Sequence, residues 1–176
     1  AREKGFSIDE AGYEKALAEQ KNRSRQDAAK EATDWIEVNE GGDFEFLGYD
    51  TLEAPAQIVK YRKVKTKAGE EYHIVLDRTP FYAEMGGQVG DSGELRVTND
   101  EVRSIHIVDT KKENDLFVHI SRDKNLDEIL NSHSSLLASV DAHRRQNIMR
   151  NHTATHLMLA GLRKVLGNHI VQKGSY

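Results

Sequence analysis

Two histidines near the C-terminal end of the chain have the spacing of a metal-binding pair. His152 and His156 lie four residues apart in the run His-Thr-Ala-Thr-His, so on a helix both imidazoles share one face and can reach one ion. Neutral imidazoles suit Zn²⁺, which takes three or four protein ligands. Neither His143 nor His169 has a spacing that completes a tetrahedron. The pair is either part of a zinc site or two polar residues at the edge of a packed helix.

The rest of the sequence excludes several other kinds of site. The chain has no cysteine, which excludes a disulfide scaffold, a thiol nucleophile and a thiolate ligand within it. Zinc metalloproteases carry a glutamate directly after the first histidine as the general base. Here Thr153 follows His152, and no acidic residue occurs after Asp141. Metalloprotease chemistry is therefore excluded.

A glycine-rich segment runs from Phe81 to Gly93. Its glycines permit positive φ angles and close backbone approach, but no Gly-Lys-Ser/Thr follows, which excludes a phosphate-binding P-loop. A tight hairpin turn between strands is one interpretation. Part of the segment also matches the Gly-Gly-Gln tripeptide with which peptide-release factors hydrolyse peptidyl-tRNA, so hydrolysis of that kind is an alternative. The motif residues are Gly86, Gly87, Gln88 and Gly90.

The charge is distributed unevenly along the 176 residues, which carry 25 basic and 29 acidic side chains and a net charge of −4. The last 35 residues contain 6 basic residues and no acidic one. This asymmetry favours contact with an anionic partner, with nucleic acid as the leading candidate. A basic helix face that balances an acidic neighbour explains it equally well. The candidate phosphate-binding residues are Arg144, Arg145, Arg150, Arg163 and Lys164.

The N-terminal two thirds of the chain predict a helix followed by short strands. Ser7 and Glu10 have the spacing of a capping box, and good helix formers continue to about Lys30. Short apolar or alternating runs separated by turn residues then predict six strands in a small antiparallel barrel or sandwich. The predicted runs are Phe44–Phe46, Gln57–Tyr61, Tyr72–Leu76, Glu94–Val97, Val102–Val108 and Leu116–Ile120.

A further strand and a long helix are predicted at the C-terminal end. The pattern predicts the strand at Leu136–Val140 and the N-cap of the helix at Asp141. The helix is expected to end before Gly167. His169–Val171 then begins another extended run, and no apolar run is long enough to cross a bilayer. The expected packed stripe of the helix comprises Ile148, Thr155, Leu159, Leu162 and Leu166.

These segments together resemble the alanyl-tRNA synthetase family. Residues 79–91 are similar to the family's glycine-rich signature, with Met85 where serine is usual. Residues 151–157 and 162–167 resemble the start of its editing domain, and residues 171–175 the strand that follows. Residues 11–14 are like the helix that leaves its tRNA-recognition region. Free-standing AlaX-type editing proteins share the barrel and the histidine helix, but the N-terminal helical arm favours the synthetase.

The resemblance implies an α+β fragment of a larger enzyme with three parts. Residues 1–36 would be a helical arm from the tRNA-recognition region. Residues 37–122 would form a translation-protein-like β-barrel, and residues 123–176 the first long helix and strand of a truncated editing fold. The aminoacylation core that binds ATP and Mg²⁺ would precede residue 1. The expected partners are the acceptor end of tRNA(Ala) and the rest of the synthetase chain, with no membrane and no DNA, in the cytoplasm.

The resemblance also implies that the editing site hydrolyses Ser-tRNA(Ala) or Gly-tRNA(Ala). A pocket built for alanine rejects smaller glycine, or serine with its added hydroxyl, only weakly, so a second site must remove such errors. His152 and His156 would bind zinc with a Cys-x-x-x-His pair beyond Tyr176, and zinc would either position the aminoacyl end or polarise water. The residues expected to line the catalytic pocket are Gln172, Thr155 and Ser175.

Because half of such a site would be missing, we expect the isolated chain to lack significant aminoacylation and editing activity and to purify without stoichiometric zinc. Two alternatives remain at this point. One is a non-catalytic tRNA-binding module, in which the barrel and the basic helix hold the acceptor stem. The other is a fragment of an AlaX-type deacylase.

Overall fold

The computed structural model describes residues 12–17, 32–40, 42–66, 69–97, 103–131 and 135–172. Residues 12–17 are helical (α1), within the helix that the sequence predicts. The capping box at Ser7 and Glu10, and the rest of that helix to Lys30, lie outside the described residues. Most of the predicted arm over residues 1–36 is therefore not described.

Short strands fill most of the next hundred residues, because turn residues interrupt each apolar run after a few positions. All six predicted runs overlap strands of the structure. Four strands and one short helix were not predicted, namely β1 (Ile36–Glu37), β3 (Glu53–Ala56), β6 (Arg78–Thr79), β9 (Asp109–Glu113) and α2 (Asp127–Leu130). The strands are β1 Ile36–Glu37, β2 Glu45–Phe46, β3 Glu53–Ala56, β4 Ile58–Thr66, β5 Gly69–Leu76, β6 Arg78–Thr79, β7 Gly93–Val97, β8 Ser104–Ile107, β9 Asp109–Glu113, β10 Leu116–Ser121 and β11 Leu136–Val140, and the other helices are α2 Asp127–Leu130 and α3 Ala142–Leu166.

The described strands form two larger sheets and one two-stranded pair. The first sheet has the order β1-β4-β5-β10-β9 and the second the order β3-β11-β7-β8, with neighbouring strands antiparallel throughout. The third pairs β2 with β6 in parallel. The architecture is thus mixed α and β with mostly antiparallel sheets. The predicted small antiparallel barrel or sandwich is corrected in one respect: hydrogen bonds do not close a barrel, because they divide the described strands into three sheets.

Two bent segments of the chain connect the two larger sheets. Only Gln57 separates β3 from β4, and only Val108 separates β8 from β9, so each segment passes from one sheet into the other. The backbone N–H of Val108 donates to Ile120 O at 2.8 Å, and Gln57 O accepts from Asp77 N at 3.0 Å. These bonds satisfy the backbone groups at the bends. Because the chain passes directly from one sheet into the other at both bends, the two larger sheets form one folded unit, called the β-unit below.

Strand β11 extends this unit beyond the predicted boundary at residue 122. It lies between β3 and β7, with Leu136 opposite both Ala56 and Val97. Leu136, Ala138 and Val140 face the core, so the strand alternates between buried and half-buried positions. The hydrogen-bonded sheet therefore continues to Val140, and α3 begins directly after it.

A buried histidine lies at the centre of the β-unit. His119 is fully buried, with Nε2 2.7 Å from Thr79 Oγ1 and Nδ1 3.1 Å from Ile74 O. These contacts fit a neutral ring that donates from Nδ1 and accepts the Thr79 hydroxyl proton at Nε2. Burial lowers the pKa of His119 to about 4, although the bond to Ile74 opposes that shift. The ring is therefore a neutral, fully hydrogen-bonded part of the core.

The limits predicted for α3 are confirmed, but its predicted packing is wrong. The Asp141 carboxylate caps the helix by accepting from Arg144 N at 2.9 Å, and Gly167 ends it with a φ of 108°. Arg145 is the buried residue of α3. The predicted stripe is only half-buried at Ile148, Thr155 and Leu159, and Leu162 and Leu166 are exposed. The helix is thus anchored at its first turns and projects from the β-unit.

Among the described residues, none of the helices has the length and apolar character that a bilayer crossing needs.

Candidate functional site

The two histidines of α3 converge as their spacing predicts. Their Nε2 atoms lie 3.0 Å apart, and the rings are nearly perpendicular at 78°. Two imidazoles bound tetrahedrally to one zinc ion at 2.0–2.1 Å would have nitrogens about 3.3–3.4 Å apart, so a small ring rotation would make the pair a two-ligand chelate. No group of three or more His, Cys, Asp or Glu side chains suited to a metal occurs in the described ranges. The donor types fit zinc, and this pair could supply two of its ligands.

The residues predicted to line the pocket beside this pair are only partly described. The Thr155 hydroxyl donates to Asn151 O at 2.8 Å, so it is hydrogen-bonded within the helix. Gln172 is half-buried, and its Oε1 atom has no hydrogen-bond partner among the described residues. Ser175 lies outside the described residues. The catalytic roles of these three residues stay predictions.

The extended run predicted from His169 to Val171 does not form a strand. Asn168 and His169 lie in a turn, and residues 170–172 have no regular secondary structure. The Arg163 side chain donates from Nε to Ile170 O at 2.9 Å and holds this segment back against the end of α3. A strand needs a neighbour to satisfy its backbone groups, and the described residues place none beside this segment.

The basic residues predicted to contact tRNA divide into two groups. Arg150, Arg163 and Lys164 are exposed on α3, and their contact with phosphate stays a prediction, although Arg163 already donates from Nε to Ile170 O. Arg150 also donates to Gln146 Oε1 at 3.1 Å. Arg144 is half-buried and donates to Gly90 O at 2.7 Å.

The prediction for Arg145 is not supported, because its guanidinium is buried and bound within the protein. It donates from Nε to both oxygens of Asp91, at 2.9 and 2.8 Å, and a second nitrogen also contacts Asp91 Oδ2. The remaining donors reach Gly48 O at 2.9 Å and Pro80 O at 3.0 Å. Four of the five N–H groups of an arginine are thus engaged in this network, which attaches α3 to the β-unit.

The glycine-rich segment forms the other half of that attachment. It contains a tight turn, but the predicted hairpin between strands is not formed, because the flanking strands β6 and β7 pair with other strands. Gly86 and Gly87 have φ angles of 61° and 77° between Met85 and Gln88, whose backbones are bonded at 3.1 Å. Positive φ at both central residues is typical of a two-residue hairpin turn. At Gly90 a side chain is impossible without rearrangement, since a Cβ would lie 2.0 Å from Thr110 O.

Asp91 is the buried partner of Arg145 in this segment, and sequence reasoning missed its role in attaching α3. Its side chain is 1% exposed, accepts from Tyr82 N at 2.7 Å and binds Arg145. One signal pointed to Arg145: it lies three residues before Ile148, in phase with the stripe of α3, where an apolar residue would be expected. An arginine in such a position indicates a buried partner.

The chain is similar to proteins of known function over nearly its whole length. Residues 1–144 match the family model described as tRNA synthetases class II (A). An alanine–tRNA ligase of Christiangramia forsetii is 48% identical over 175 residues, which is 99% of this chain and 19% of that protein. The corresponding ligases of Cytophaga hutchinsonii and Bacteroides thetaiotaomicron are 45% and 46% identical over 99% of this chain. The chain spans about a fifth of the length of these relatives.

Proposed function

Because the chain belongs to the family of class II (A) tRNA synthetases, we propose that it is the segment of an alanine–tRNA ligase that connects the tRNA-recognition region to the editing site. The observation that carries this proposal is the 45–48% identity to alanine–tRNA ligases over 99% of the chain. The whole protein would charge tRNA(Ala) in the cytoplasm, with ATP and Mg²⁺ bound by parts that this chain does not contain.

In this proposal the two larger sheets correspond to the translation-protein-like barrel. The support is the pair of bent segments at Gln57 and Val108, which carry strands from one sheet into the other. They join β4, β5, β10, β9, β8, β7, β11 and β3 in a ring, although hydrogen bonds alone do not close it. The barrel would then hold the N-terminal end of α3 in a fixed position through Arg145.

The editing role is proposed for α3. His152 and His156 would supply two ligands to a zinc ion whose other ligands come from the rest of the ligase chain, as the 3.0 Å separation of their Nε2 atoms supports. Zinc, when bound, would supply Lewis acidity or a fixed point for the aminoacyl end. Gln172 would present its Oε1, which has no partner among the described residues, to the aminoacyl group, and Thr155 would pack beside the metal ligands. Arg150, Arg163 and Lys164 would contact phosphates of the acceptor end.

A non-catalytic tRNA-binding role is the second candidate. It is favoured by the exposed basic residues of α3, which are Arg150, Arg163 and Lys164. The two roles differ in what the histidines do, because a binding module would not need them for hydrolysis.

A chimeric ligase tests both roles. The chain replaces the matching 19% of the C. forsetii ligase, and alanylation of tRNA(Ala) and hydrolysis of Ser-tRNA(Ala) are measured. We expect the chimera to charge tRNA, and His152→Ala to lose hydrolysis while tRNA affinity and charging stay unchanged. His106→Ala is the matched control, since the His106 side chain is 70% exposed and lies on the β-unit. Weakened tRNA affinity with normal hydrolysis in His152→Ala would favour the binding module, and a chimera unable to charge tRNA would contradict the main proposal.

A further inference from the structure

A cleft of about 750 Å³ lies beside the anchor of α3 and is separate from the histidine pair. One wall is the turn after β2, the second is the glycine-rich segment, and the third is the first two turns of α3. The lining residues used below are Tyr49, Asp50, Leu52, Gln88, Gln146 and Met149.

The walls of this cleft are held rigidly. Arg145, which itself lines the cleft, bonds to Gly48 O and Pro80 O. A Cβ at Gly48 would lie 2.4 Å from Pro80 O, so these two backbone segments are in close contact. The turn is closed by a hydrogen bond of 3.1 Å from Thr51 N to Leu47 O. A site with fixed walls loses little entropy when a ligand binds.

Several polar groups in the cleft have no partner within the described part of the chain. The Tyr49 ring is 79% exposed, although it packs edge-on against Phe46 at 5.0 Å between centroids. The Tyr49 hydroxyl, the Gln88 amide and the Asp50 carboxylate make no hydrogen bond to any described residue. Leu52 and Met149 add apolar surface between these groups. The cleft thus combines an aromatic face, apolar surface and hydrogen-bonding groups that have no partner among the described residues.

This combination matches the chemistry of an unstacked nucleobase. Proteins bind such bases by stacking them on aromatic rings and by hydrogen-bonding their edges. A carboxylate accepts from an exocyclic amino group, such as N4 of cytosine. The flanking helix carries basic residues and no acidic one, which suits the attached phosphates.

We propose that this cleft binds one base of single-stranded RNA, an amino-bearing cytosine or adenine stacked on Tyr49 and hydrogen-bonded to Asp50 and Gln88. The inference rests on the proposed function, since it would assign the cleft to the single-stranded end of tRNA.

Binding of a fluorescently labelled 5′-ACCA-3′ RNA to the 176-residue chain tests the inference by anisotropy. We expect Tyr49→Ala to weaken binding roughly 5- to 150-fold, the range found when a stacking aromatic is removed, and Tyr49→Phe to stay within about twofold because the ring is kept. Tyr13→Ala, at a tyrosine that is 62% exposed on α1, is the matched control and should bind as the wild type does. No measurable binding by the wild type, or equal losses in Tyr49→Ala and Tyr13→Ala, would overturn the inference.

Base identity and ligand source are tested by two further arms. Asp50→Asn should reduce the preference for ACCA over a UUUU RNA, and an unchanged preference would overturn the assigned role of Asp50. Unlabelled AMP and CMP should compete more weakly than ACCA; competition at equal concentration would mean that the cleft takes free nucleotides instead. Tyr49→Ala in the chimeric ligase separates the two proposals. If the chimera charges tRNA and Tyr49→Ala has no effect on RNA binding, this inference alone is overturned. If RNA binding depends on Tyr49 but the chimera cannot charge tRNA, the ligase assignment alone is overturned.

Discussion

Replacing Asp91 by asparagine removes one charge from the buried ion pair that attaches α3 to the β-unit. The side chains of Asp91 and Arg145 are 1% and 8% exposed, so water cannot solvate the guanidinium that remains after the substitution. Breaking a buried pair by removing one partner costs about 3–5 kcal/mol, because it leaves an uncompensated charge. In a protein of this size each kcal/mol lowers the melting temperature by about 2–4 °C, so we expect Asp91→Asn to melt about 6–20 °C below the wild type.

An exposed ion pair of the same chain is the matched control. Arg96 and Glu53 lie 3.1 Å apart with side chains 46% and 54% exposed, and exposed pairs contribute about 0–1 kcal/mol. Arg96→Met should therefore change the urea midpoint little, whereas Arg145→Met should destabilise as strongly as Asp91→Asn. The double variant Asp91→Asn/Arg145→Met should lose less than the sum of the single losses, because it buries no lone charge.

Urea and thermal unfolding followed by circular dichroism measure these free energies, and hydrogen exchange of α3 reports whether the helix detaches. An Asp91→Asn variant within 1 kcal/mol of the wild type would refute the reasoning. Additive losses in the double variant would refute it as well, since they would mean that the two side chains act independently.

Three further predictions concern the core, the glycines and the metal ligands. Because burial lowers the pKa of His119 to about 4 and an unfolded histidine titrates near 6.5, only the unfolded chain takes up this proton between those values. The stabilisation from neutral His119 is therefore complete above about pH 6.5 and falls by about 3 kcal/mol as the pH drops to about 4. The urea midpoints at pH 7.5 and pH 5 should differ more for the wild type than for His119→Gln. The same pH dependence in both proteins would contradict this prediction. Gly90→Ala should destabilise the protein by about 1–3 kcal/mol, because the added Cβ would lie 2.0 Å from Thr110 O. Gly161→Ala in α3 should stabilise it by about 0.5–1 kcal/mol, because nothing lies within 4 Å of the added Cβ. Shifts of the melting temperature in the same direction for both variants would be inconsistent with these contacts. Metal analysis of the dialysed chain should find less than one zinc ion per molecule, because the described residues offer two ligands. Tight one-to-one zinc binding that persists in His156→Ala would show that the histidine pair is not the site.

Local signals in the sequence were sufficient for the limits of α3 and β11. Asp141 and Gly167 act through bonds and backbone angles within one turn of the helix end, so their residue types alone predicted its length. Strand β9 was missed because Asp109–Glu113 is mostly charged and buries only Thr110. Its pairing with β10 depends on the neighbouring strand rather than on its own pattern.

Contacts between distant parts of the chain could not be predicted. Periodicity identified the apolar face of α3, but periodicity does not say what covers a face, and here Leu162 and Leu166 are exposed. The bond between Asp91 and Arg145 joins residues 54 positions apart. In a single sequence the only indication of this pairing is that Arg145 lies in phase with the apolar stripe of α3, where an apolar residue would be expected. The histidine pair was predicted because both residues belong to one helix.

The anchoring of α3 at its first turns makes the helix a lever. His156 lies about 16 Å along the axis from Arg145, and Leu166 about 31 Å, at a rise of 1.5 Å per residue. A tilt of about 5° at the ion pair would move these positions by about 1.4 and 2.7 Å, whereas catalytic groups must hold their place within about 0.5 Å. The stiffness of this anchor, formed by the buried ion pair and by the bond from Arg144 to Gly90 O, therefore sets how accurately the histidines are placed.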